Sequence, residues 1–149
     1  MNPYLVLIVE DDQPVRNLIT TTLKAHDYRY ITAANGETAV IEAASHNPDM
    51  ILLDLGLPDI DGIEVVQRIR SWSNVPIIVI SARSEDEDKI EALDMGADDY
   101  ISKPFKRNVL VERVKRLLDI RSVQQSVIYK SDNIEIHKLD DLLPGGFDL

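Results

Sequence analysis

The feature that most constrains the fold of this chain is an alternation of short aliphatic runs with segments of helical periodicity. The runs are Tyr4–Val9, Arg29–Ala33, Met50–Leu53, Val75–Ser81 and Tyr100–Ser102. They are nearly continuous in aliphatic residues around Leu5, Ile51 and Ile77, which is typical of strands covered on both faces. Strands that alternate with helices form parallel sheets. The pattern therefore predicts an α/β fold with a doubly wound, five-stranded parallel sheet of the (βα)5 type.

The segments between the runs carry apolar residues at the spacing that places them on one face of a helix. These residues are Val15, Leu18, Ile19 and Leu23; Ala39, Val40, Ala43 and Ala44; Ile63, Val66 and Ile69; Ile90 and Leu93; and Leu110, Val114, Leu117 and Leu118. Ser84 is the candidate N-cap of the fourth helix, just ahead of Glu87. In such a sheet, ligands bind beyond the carboxyl ends of the strands.

The composition excludes several classes of site. The chain has 149 residues, a net charge of −10 and no cysteine, which fits one domain with some additional chain and excludes disulfides, thiolate zinc sites and thiol nucleophiles. His26, His46 and His137 stand in no recognisable metal or triad motif. The negative charge argues against nucleic-acid binding through this domain. The first apolar run is too short to span a membrane, so we expect a cytoplasmic protein without membrane association.

Residues with metal or phosphate chemistry follow the predicted strands. They are Glu10, Asp11 and Asp12 after the first strand, Asp54 after the third, Ser81 at the end of the fourth and Lys103 after the fifth. Because the carboxyl ends of parallel strands meet at one edge, several carboxylates would crowd into a small volume. Their mutual repulsion favours a bound cation. The pattern thus predicts a charged site at this edge of the sheet.

Mg²⁺ is the natural cation, since it prefers hard oxygen ligands and bridges carboxylates to phosphoryl oxygens. We expect Asp11 and Asp54 as direct ligands, Glu10 as an outer ligand through water, and the backbone carbonyl of Gly56 as a further ligand. A carboxylate beside bound magnesium can attack phosphorus and form an aspartyl phosphate. Lys103 would then supply positive charge, and Ser81 a hydroxyl, to the transferring oxygens.

Each of these residues also has an ordinary structural interpretation. An acidic trio after a strand is commonly a solvated loop or the start of a helix, and we assign Asp12 to the helix N-terminus rather than to the metal. Asp54 alone could be a turn residue, and a lysine before a proline, such as Lys103, is most often on the surface. Their joint placement at one edge is what favours the functional interpretation.

The four motifs "LIVEDD", "ILLDLGLPDIDG", "IIVISAR" and "GADDYISKPF" resemble, in order and spacing, those of response-regulator receiver domains of two-component signalling. The resemblance covers roughly residues 3 to 121 and implies the flavodoxin-like receiver fold. It implies that Asp54 is the phospho-acceptor for a sensor histidine kinase, with Glu10 and Asp11 as the acidic pair. Ser81 would be the switch hydroxyl, where threonine is commoner, and Lys103 the phosphate-pairing lysine in a cis Lys103–Pro104 peptide.

The "GADDY" and "KPF" motifs with the amphipathic last helix resemble the OmpR/PhoB class, whose receivers precede a winged-helix DNA-binding domain. The resemblance implies that Tyr100 turns inward on phosphorylation, although the residue alone is equally well explained as a packed boundary tyrosine. It also implies a symmetric dimer through the fourth helix, fifth strand and fifth helix. The residues at matching positions are Lys89, Asp94, Asp99, Arg113 and Lys115. Asp99 would pair with Arg113 and Asp94 with Lys115, but the acidic partner expected for Lys89 is replaced by Val109.

Residues 122–149 differ in character from the predicted receiver at 1–121. "RSVQQS" is typical of a linker, "VIYKSDNIEIH" resembles the first strands of a winged-helix domain, and "KLDDLLPGGFDL" resembles no continuation of it. We therefore interpret this segment as a linker with the remnant of a truncated DNA-binding domain or an artefactual, poorly ordered end. DNA binding by the chain as given is not expected.

The alternative function is a magnesium-dependent phosphatase or phosphotransferase that acts on small molecules through an aspartyl phosphate. Such enzymes commonly need a second acid close to the nucleophile and a cap over the substrate. Gly56 stands two residues after Asp54, and no insertion is long enough for a cap. A flavin-binding protein is a third possibility, but no Ser/Thr-rich loop follows the first strand. We therefore expect a signalling switch that catalyses only its own phosphorylation and slow dephosphorylation.

Overall fold

The computed structural model describes residues 3–83 and 85–121. The chain divides into two units between Lys115 and Arg116, and the predicted linker and remnant at 122–149 lie outside the described residues. The strands are β1 (Leu5–Val9), β2 (Arg29–Ala33), β3 (Met50–Asp54), β4 (Ile77–Ser81) and β5 (Asp99–Ser102). The helices are α1 (Gln13–Ala25), α2 (Gly36–His46), α3 (Gly62–Arg70), α4 (Asp86–Asp94) and α5 (residues 107–121).

The five strands form one parallel sheet in the order β2-β1-β3-β4-β5. In β1 and β3, Val9 is level with Leu53, and Asp54 is level with Ile80 of β4. This order confirms the predicted doubly wound (βα)5 fold. The chain order reverses between β1 and β3, so a crevice opens at the carboxyl ends of these two strands.

The predicted strands agree with the observed ones to within two residues at each end. Strand β4 starts at Ile77 rather than Val75, because Pro76 has no N–H to donate, although its carbonyl still accepts from the Ile51 amide at 2.9 Å. Strand β3 continues through Asp54, which places that carboxylate on the sheet itself. All residues of β3 and β4 are buried, as their aliphatic sequences predict.

The helices cover both faces of the sheet through most of the predicted apolar residues, although Ala44 of α2 is exposed. Ile19, Leu23, Ile69, Leu110 and Val114 are all buried. In α4, by contrast, Ile90 and Leu93 are exposed, and Ala92 is the residue of that helix that is buried. The apolar residues that indicate α4 in the sequence are therefore not the ones that attach it to the sheet.

The start of α4 also differs from the prediction. Its N-cap position is occupied by Glu85, which makes no side-chain capping hydrogen bond, and Ser84 lies outside the described residues. In α1 the predicted role of Asp12 is confirmed, since its carboxylate accepts a hydrogen bond from the Val15 amide at 3.2 Å. The N-terminus of α4 is thus less firmly held than that of α1.

The opposite end of α4 is held by Arg70 of α3. The Arg70 Nε donates to the Gly96 carbonyl at 2.9 Å, and NH2 lies 2.9 Å from Asp98 Oδ2. Asp98 Oδ2 also accepts from the Ile77 amide at 2.8 Å. Gly96 has φ +120°, and a Cβ there would lie 2.8 Å from Arg70 Cγ. One half-buried guanidinium therefore secures the turn between α4 and β5 and, through Asp98, the start of β4.

Gly62 begins α3 directly against the strand end that carries Asp54. Its amide donates to the Leu55 carbonyl at 2.9 Å, while the preceding Asp61 caps the helix by accepting from the Ile63 amide at 2.9 Å. An ideal Cβ at Gly62 would lie 2.6 Å from Leu55 Cα and 2.7 Å from the Asp54 carbonyl oxygen. Because these are backbone atoms of a buried segment, they have little freedom to move.

Across residues 3–83 and 85–121, none of the helices is both long enough and apolar enough to cross a membrane.

We predict that Gly62→Ala destabilises the protein by about 1–3 kcal/mol, because the added methyl group forces apart backbone atoms in the packed interior. Equilibrium urea unfolding followed by circular dichroism measures the change. Gly56→Ala is the matched control, since the nearest contact of a Cβ there is a side-chain oxygen of Asp54 at 3.9 Å. Equal stability of the Gly62→Ala variant and the unsubstituted protein would contradict the close packing.

Candidate functional site at the carboxyl edge of the sheet

The predicted site residues line one cleft at the carboxyl edge of the sheet. The cleft has a volume of about 290 Å³ and is lined by Glu10, Asp11, Asp12, Asp54, Gly56, Ser81, Ala82, Arg83 and Lys103. Each predicted catalytic or metal-binding residue is among them. Glu10 and Asp11 follow β1, Asp54 and Ser81 end β3 and β4, and Lys103 follows β5. The parallel topology is what gathers these distant parts of the sequence.

Lys103 joins the two buried carboxylates of the cleft. Its Nζ lies 2.8 Å from Glu10 Oε1 and 3.4 Å from Asp54 Oδ1. Glu10 is 1% exposed and Asp54 7% exposed, so neither carboxylate has much contact with water. The Lys103 amide donates to the Ser81 carbonyl at 2.8 Å, and this hydrogen bond holds the backbone of Lys103 beside the end of β4. The Lys103–Pro104 peptide is cis, which confirms that prediction.

The acidity of these groups reflects their burial and their proximity. Burial raises the pKa of Glu10, and the negative charge of Asp54 raises it further, while the contact with Lys103 partly opposes both effects. For Lys103, burial acts to lower the pKa, but the hydrogen bond to Glu10 and the charges of Asp54 and Glu10 outweigh it, so its pKa is raised. The raised pKa of Lys103 favours its charged form, whereas the raised pKa of Glu10 makes that carboxyl group a weaker acid.

Three carboxylates of the cleft fit a divalent cation. Glu10, Asp11 and Asp54 each place one carboxylate oxygen within 4.8 Å of the others, and the ammonium that contacts two of them is Lys103. Three hard anionic oxygens against one ammonium leave an excess of negative charge that Mg²⁺ would neutralise. Gly56 has no side chain that could cover the three carboxylates. A Cβ added there would lie 3.9 Å from Asp54 Oδ2.

Ser81 and Tyr100 meet at the backbone of one residue. The Ser81 Oγ accepts from the Arg83 amide at 2.9 Å, and the Tyr100 hydroxyl donates to the Arg83 carbonyl at 2.6 Å. Ser81 is 1% exposed and Tyr100 6% exposed. Tyr100 is thus buried with its hydroxyl bonded to the loop between β4 and α4. The two predicted switch residues, Ser81 and Tyr100, are therefore linked through the backbone of Arg83.

The side chain of Arg83 connects the same loop to α3. Its NH2 lies 3.0 Å from Asp61 Oδ2, and Asp61 is the N-cap of α3. Sequence reasoning did not identify Arg83 as part of the cleft. Its position two residues after Ser81 was the one sign in the sequence that Arg83 lies near the cleft. The ion pair with Asp61 spans 22 residues of sequence, and no periodic pattern predicts such a contact.

The residues predicted for a dimer face lie on α4, β5 and α5. Lys89, Asp94 and Lys115 are exposed, whereas Asp99 and Arg113 are partly buried. Arg113 NH1 lies 2.9 Å from both carboxylate oxygens of Asp99 within the same chain. This intramolecular pair was not foreseen, because sequence reasoning placed the contact between two chains.

A comparison with models of protein families finds the response regulator receiver domain over residues 6–115. The chain belongs to this family. KdpE, the KDP operon transcriptional regulatory protein of Escherichia coli K12, is 53% identical over 110 residues, which is 74% of this chain and 49% of that protein. The response regulator ArlR of Staphylococcus aureus USA300 is 41% identical over 123 residues, or 83% of this chain and 56% of that protein. The chain therefore spans about half the length of these curated relatives.

Solved receiver domains have the same fold. The BeF3-activated receiver domain of Klebsiella pneumoniae RstA superposes with a TM-score of 0.74 at 34% identity, covering 76% of this chain and 97% of that chain. The receiver domain of a Pseudomonas aeruginosa PAO1 sensor histidine kinase, solved with magnesium in its active site cleft, gives a TM-score of 0.74 at 33% identity, covering 79% and 99%. The family resemblance read from the motifs is confirmed, and the rival small-molecule phosphatase is not favoured.

We predict that Lys103→Met destabilises the protein at pH 7 by on the order of 2 kcal/mol, because it leaves the Glu10 and Asp54 carboxylates buried without their cation. The loss should be smaller at pH 5. A carboxyl group whose folded pKa is raised holds a proton more tightly in the folded state, so the penalty for its burial fades as pH falls through that pKa.

Urea unfolding in EDTA at both pH values measures this effect. Lys24→Met, which removes an exposed lysine from the last turn of α1, is the matched control and should change stability little at either pH. A Lys103→Met penalty that is equal at pH 5 and pH 7 would show that Glu10 does not respond to the lysine.

Proposed function

We propose that this chain is a phosphoaspartate switch in which Asp54 accepts a phosphoryl group. The observation that carries this proposal is the position of Asp54, a buried carboxylate at the end of β3 that opens into the cleft beside Lys103, Glu10 and Asp11. Membership of the receiver family supports the same assignment. A nucleophile needs access to its substrate, and the cleft supplies it.

In the proposed transfer, an Asp54 oxygen forms a bond to phosphorus while the bond from phosphorus to the donor breaks. With a sensor histidine kinase as donor, the broken bond is P–N, and the imidazole leaves with the electron pair. The Lys103 ammonium would pair with the phosphoryl oxygens that gain negative charge, and the Ser81 hydroxyl would donate a hydrogen bond to one of these oxygens. Both residues are placed by neighbouring strand ends.

The residues that would hold Mg²⁺ are Asp11 and Asp54 as direct ligands, Glu10 through water, and the carbonyl of Gly56. Bound magnesium would offset the repulsion between the Asp54 carboxylate and an incoming phosphoryl dianion. The mutual proximity of the Glu10, Asp11 and Asp54 oxygens supports this assignment. The magnesium-bound receiver from Pseudomonas aeruginosa is a related precedent at 33% identity.

The phosphoryl signal would leave the cleft through the loop between β4 and α4. When the Ser81 hydroxyl turns toward a phosphate oxygen, its hydrogen bond with the Arg83 amide is exchanged for a new one. The Arg83 carbonyl accepts a hydrogen bond from the Tyr100 hydroxyl, so a shift of this loop would change the surroundings of Tyr100. Phosphorylation would thereby bias an equilibrium between two packings of α4, β5 and α5.

The proposed output is a symmetric homodimer through α4, β5 and α5, formed in the cytoplasm and promoted by phosphorylation. Lys89, Asp94, Asp99, Arg113 and Lys115 are the residues proposed to face the partner. In a dimer, the Asp99 and Arg113 side chains could exchange their intramolecular pair for an intermolecular one. KdpE of Escherichia coli is a transcriptional regulatory protein, and we propose that the dimer of this receiver likewise serves to regulate transcription.

We predict that Asp54→Asn abolishes phosphoryl uptake from acetyl phosphate and Mg²⁺, because the amide cannot act as the nucleophile. Intact mass spectrometry should show about one phosphoryl group per unsubstituted chain, with slow loss, and peptide mapping should place it at residue 54. Asp27→Asn, at an exposed residue with φ 65° that asparagine tolerates well, should be labelled normally. Persistent labelling of Asp54→Asn, or continuous hydrolysis of the donor, would overturn the proposal.

We predict that beryllofluoride with Mg²⁺, which mimics the phosphorylated aspartate, shifts the chain from monomer toward dimer in sedimentation velocity. Arg113→Ala should weaken this dimer about tenfold, since a partly buried charge pair at an interface contributes more than an exposed one. Lys24→Ala, which removes an exposed charge of the same sign from α1, should leave it unchanged. A sedimentation coefficient that does not respond to beryllofluoride would contradict the dimer.

A further inference from the structure

Arg16, on the first turns of α1, binds the backbone of the acidic loop between β1 and α1. Its NH1 donates to the Glu10 carbonyl at 2.8 Å and lies 3.4 Å from the Asp11 carbonyl. The side chain is half-buried. One guanidinium therefore holds the carbonyl groups of Glu10 and Asp11, two of the residues whose carboxylates line the cleft.

The other contacts of the loop hold the amides of Glu10 and Asp12. The Glu10 amide donates to the Ala33 carbonyl at 3.0 Å, and the Asp12 amide lies 3.2 Å from Glu10 Oε2. The Asp12 carboxylate in turn caps α1. The Glu10 and Asp11 carbonyls are engaged by the Arg16 side chain. Without it, the loop could rotate these peptides and move both carboxylates.

We propose that Arg16 is a positioning residue of the cation site, which acts by holding the Glu10 and Asp11 peptides so that their carboxylates meet Asp54. The proposal rests on the proposed function, in that it takes the Glu10, Asp11 and Asp54 cluster to be the site of Mg²⁺. The side-chain hydrogen bonds of Arg16 go to the Glu10 and Asp11 carbonyls. It acts through the backbone of the ligands, as residues behind a metal site commonly do.

Charge and positioning make opposite predictions for the removal of Arg16. A guanidinium beside the site repels a divalent cation, so its loss would tighten metal binding if its charge alone mattered. If Arg16 positions the ligands, its loss weakens binding despite the removal of that repulsion. The sign of the change in affinity therefore separates the two roles.

The test uses the full chain and Mn²⁺ as the probe, with free Mn²⁺ measured by electron paramagnetic resonance and Mg²⁺ added as competitor. We expect Arg16→Gln to weaken Mn²⁺ binding about tenfold. Arg16→Lys keeps the charge but lacks the forked donors, so it should weaken binding by a smaller factor. Lys24→Gln, which removes the same charge from the far end of α1, should stay within about twofold of the unsubstituted chain, as expected for an exposed charge remote from the site.

A second readout separates positioning from a general loss of structure. In labelling by acetyl phosphate, Arg16→Lys should raise the Mg²⁺ concentration for half-maximal rate while leaving the rate at saturating Mg²⁺ nearly unchanged. Thermal unfolding in EDTA checks that each variant is folded, and Arg16→Lys decides the question if Arg16→Gln is not. Binding by Arg16→Lys equal to that of the unsubstituted chain, or tighter binding by Arg16→Gln, would overturn the positioning role.

The same measurements distinguish this failure from failure of the proposed function. If the unsubstituted chain bound no Mn²⁺ and took up no phosphoryl group, both proposals would fall together. If it bound Mn²⁺ and was labelled at Asp54 while the Arg16 variants behaved like it, only the role of Arg16 would be lost.

Discussion

The site depends on the burial of two carboxylates, Glu10 and Asp54, around the ammonium of Lys103. Each of the three groups would be unfavourable in the interior alone, because removing a charge from water costs several kcal/mol. Together they are tolerated only in an arrangement that brings the ends of β1, β3 and β5 to one place. The parallel sheet provides that arrangement, and the reversal of chain order between β1 and β3 leaves the space into which the charges open.

Much of this could be predicted from the sequence, because the information is periodic or local. Aliphatic runs such as "MILL" and "IIVI" mark strands covered on both faces, and the strand ends place Glu10, Asp54 and Lys103 at one edge. The contacts that were missed are those between side chains and distant or backbone groups. No periodic pattern in the sequence predicts the ion pair of Arg83 with Asp61 or the hydrogen bonds of Arg16 to two carbonyls. These contacts follow only from the folded backbone.

The surface helix α4 was the least accurately predicted element for a related reason. Its sequence contains Ile90 and Leu93, which suggest an inner face, but the structure exposes both and buries Ala92. A periodic apolar pattern reports that a face exists without saying what covers it. In a chain whose sheet is already covered, such a face is available for a partner, and the proposed dimer uses this surface.

The attachment of α4 is also uneven along its length. Its C-terminal turn is fixed through Arg70 and Gly96, whereas its N-terminal residue Glu85 makes no side-chain cap and follows the loop that carries Arg83. With a single small side chain buried, displacement of this helix should require only a small part of the free energy that holds the sheet together. In the proposed switch, the buried cleft therefore lies next to an element of low local stability, so that a modest chemical event there would change the outer surface without loosening the core.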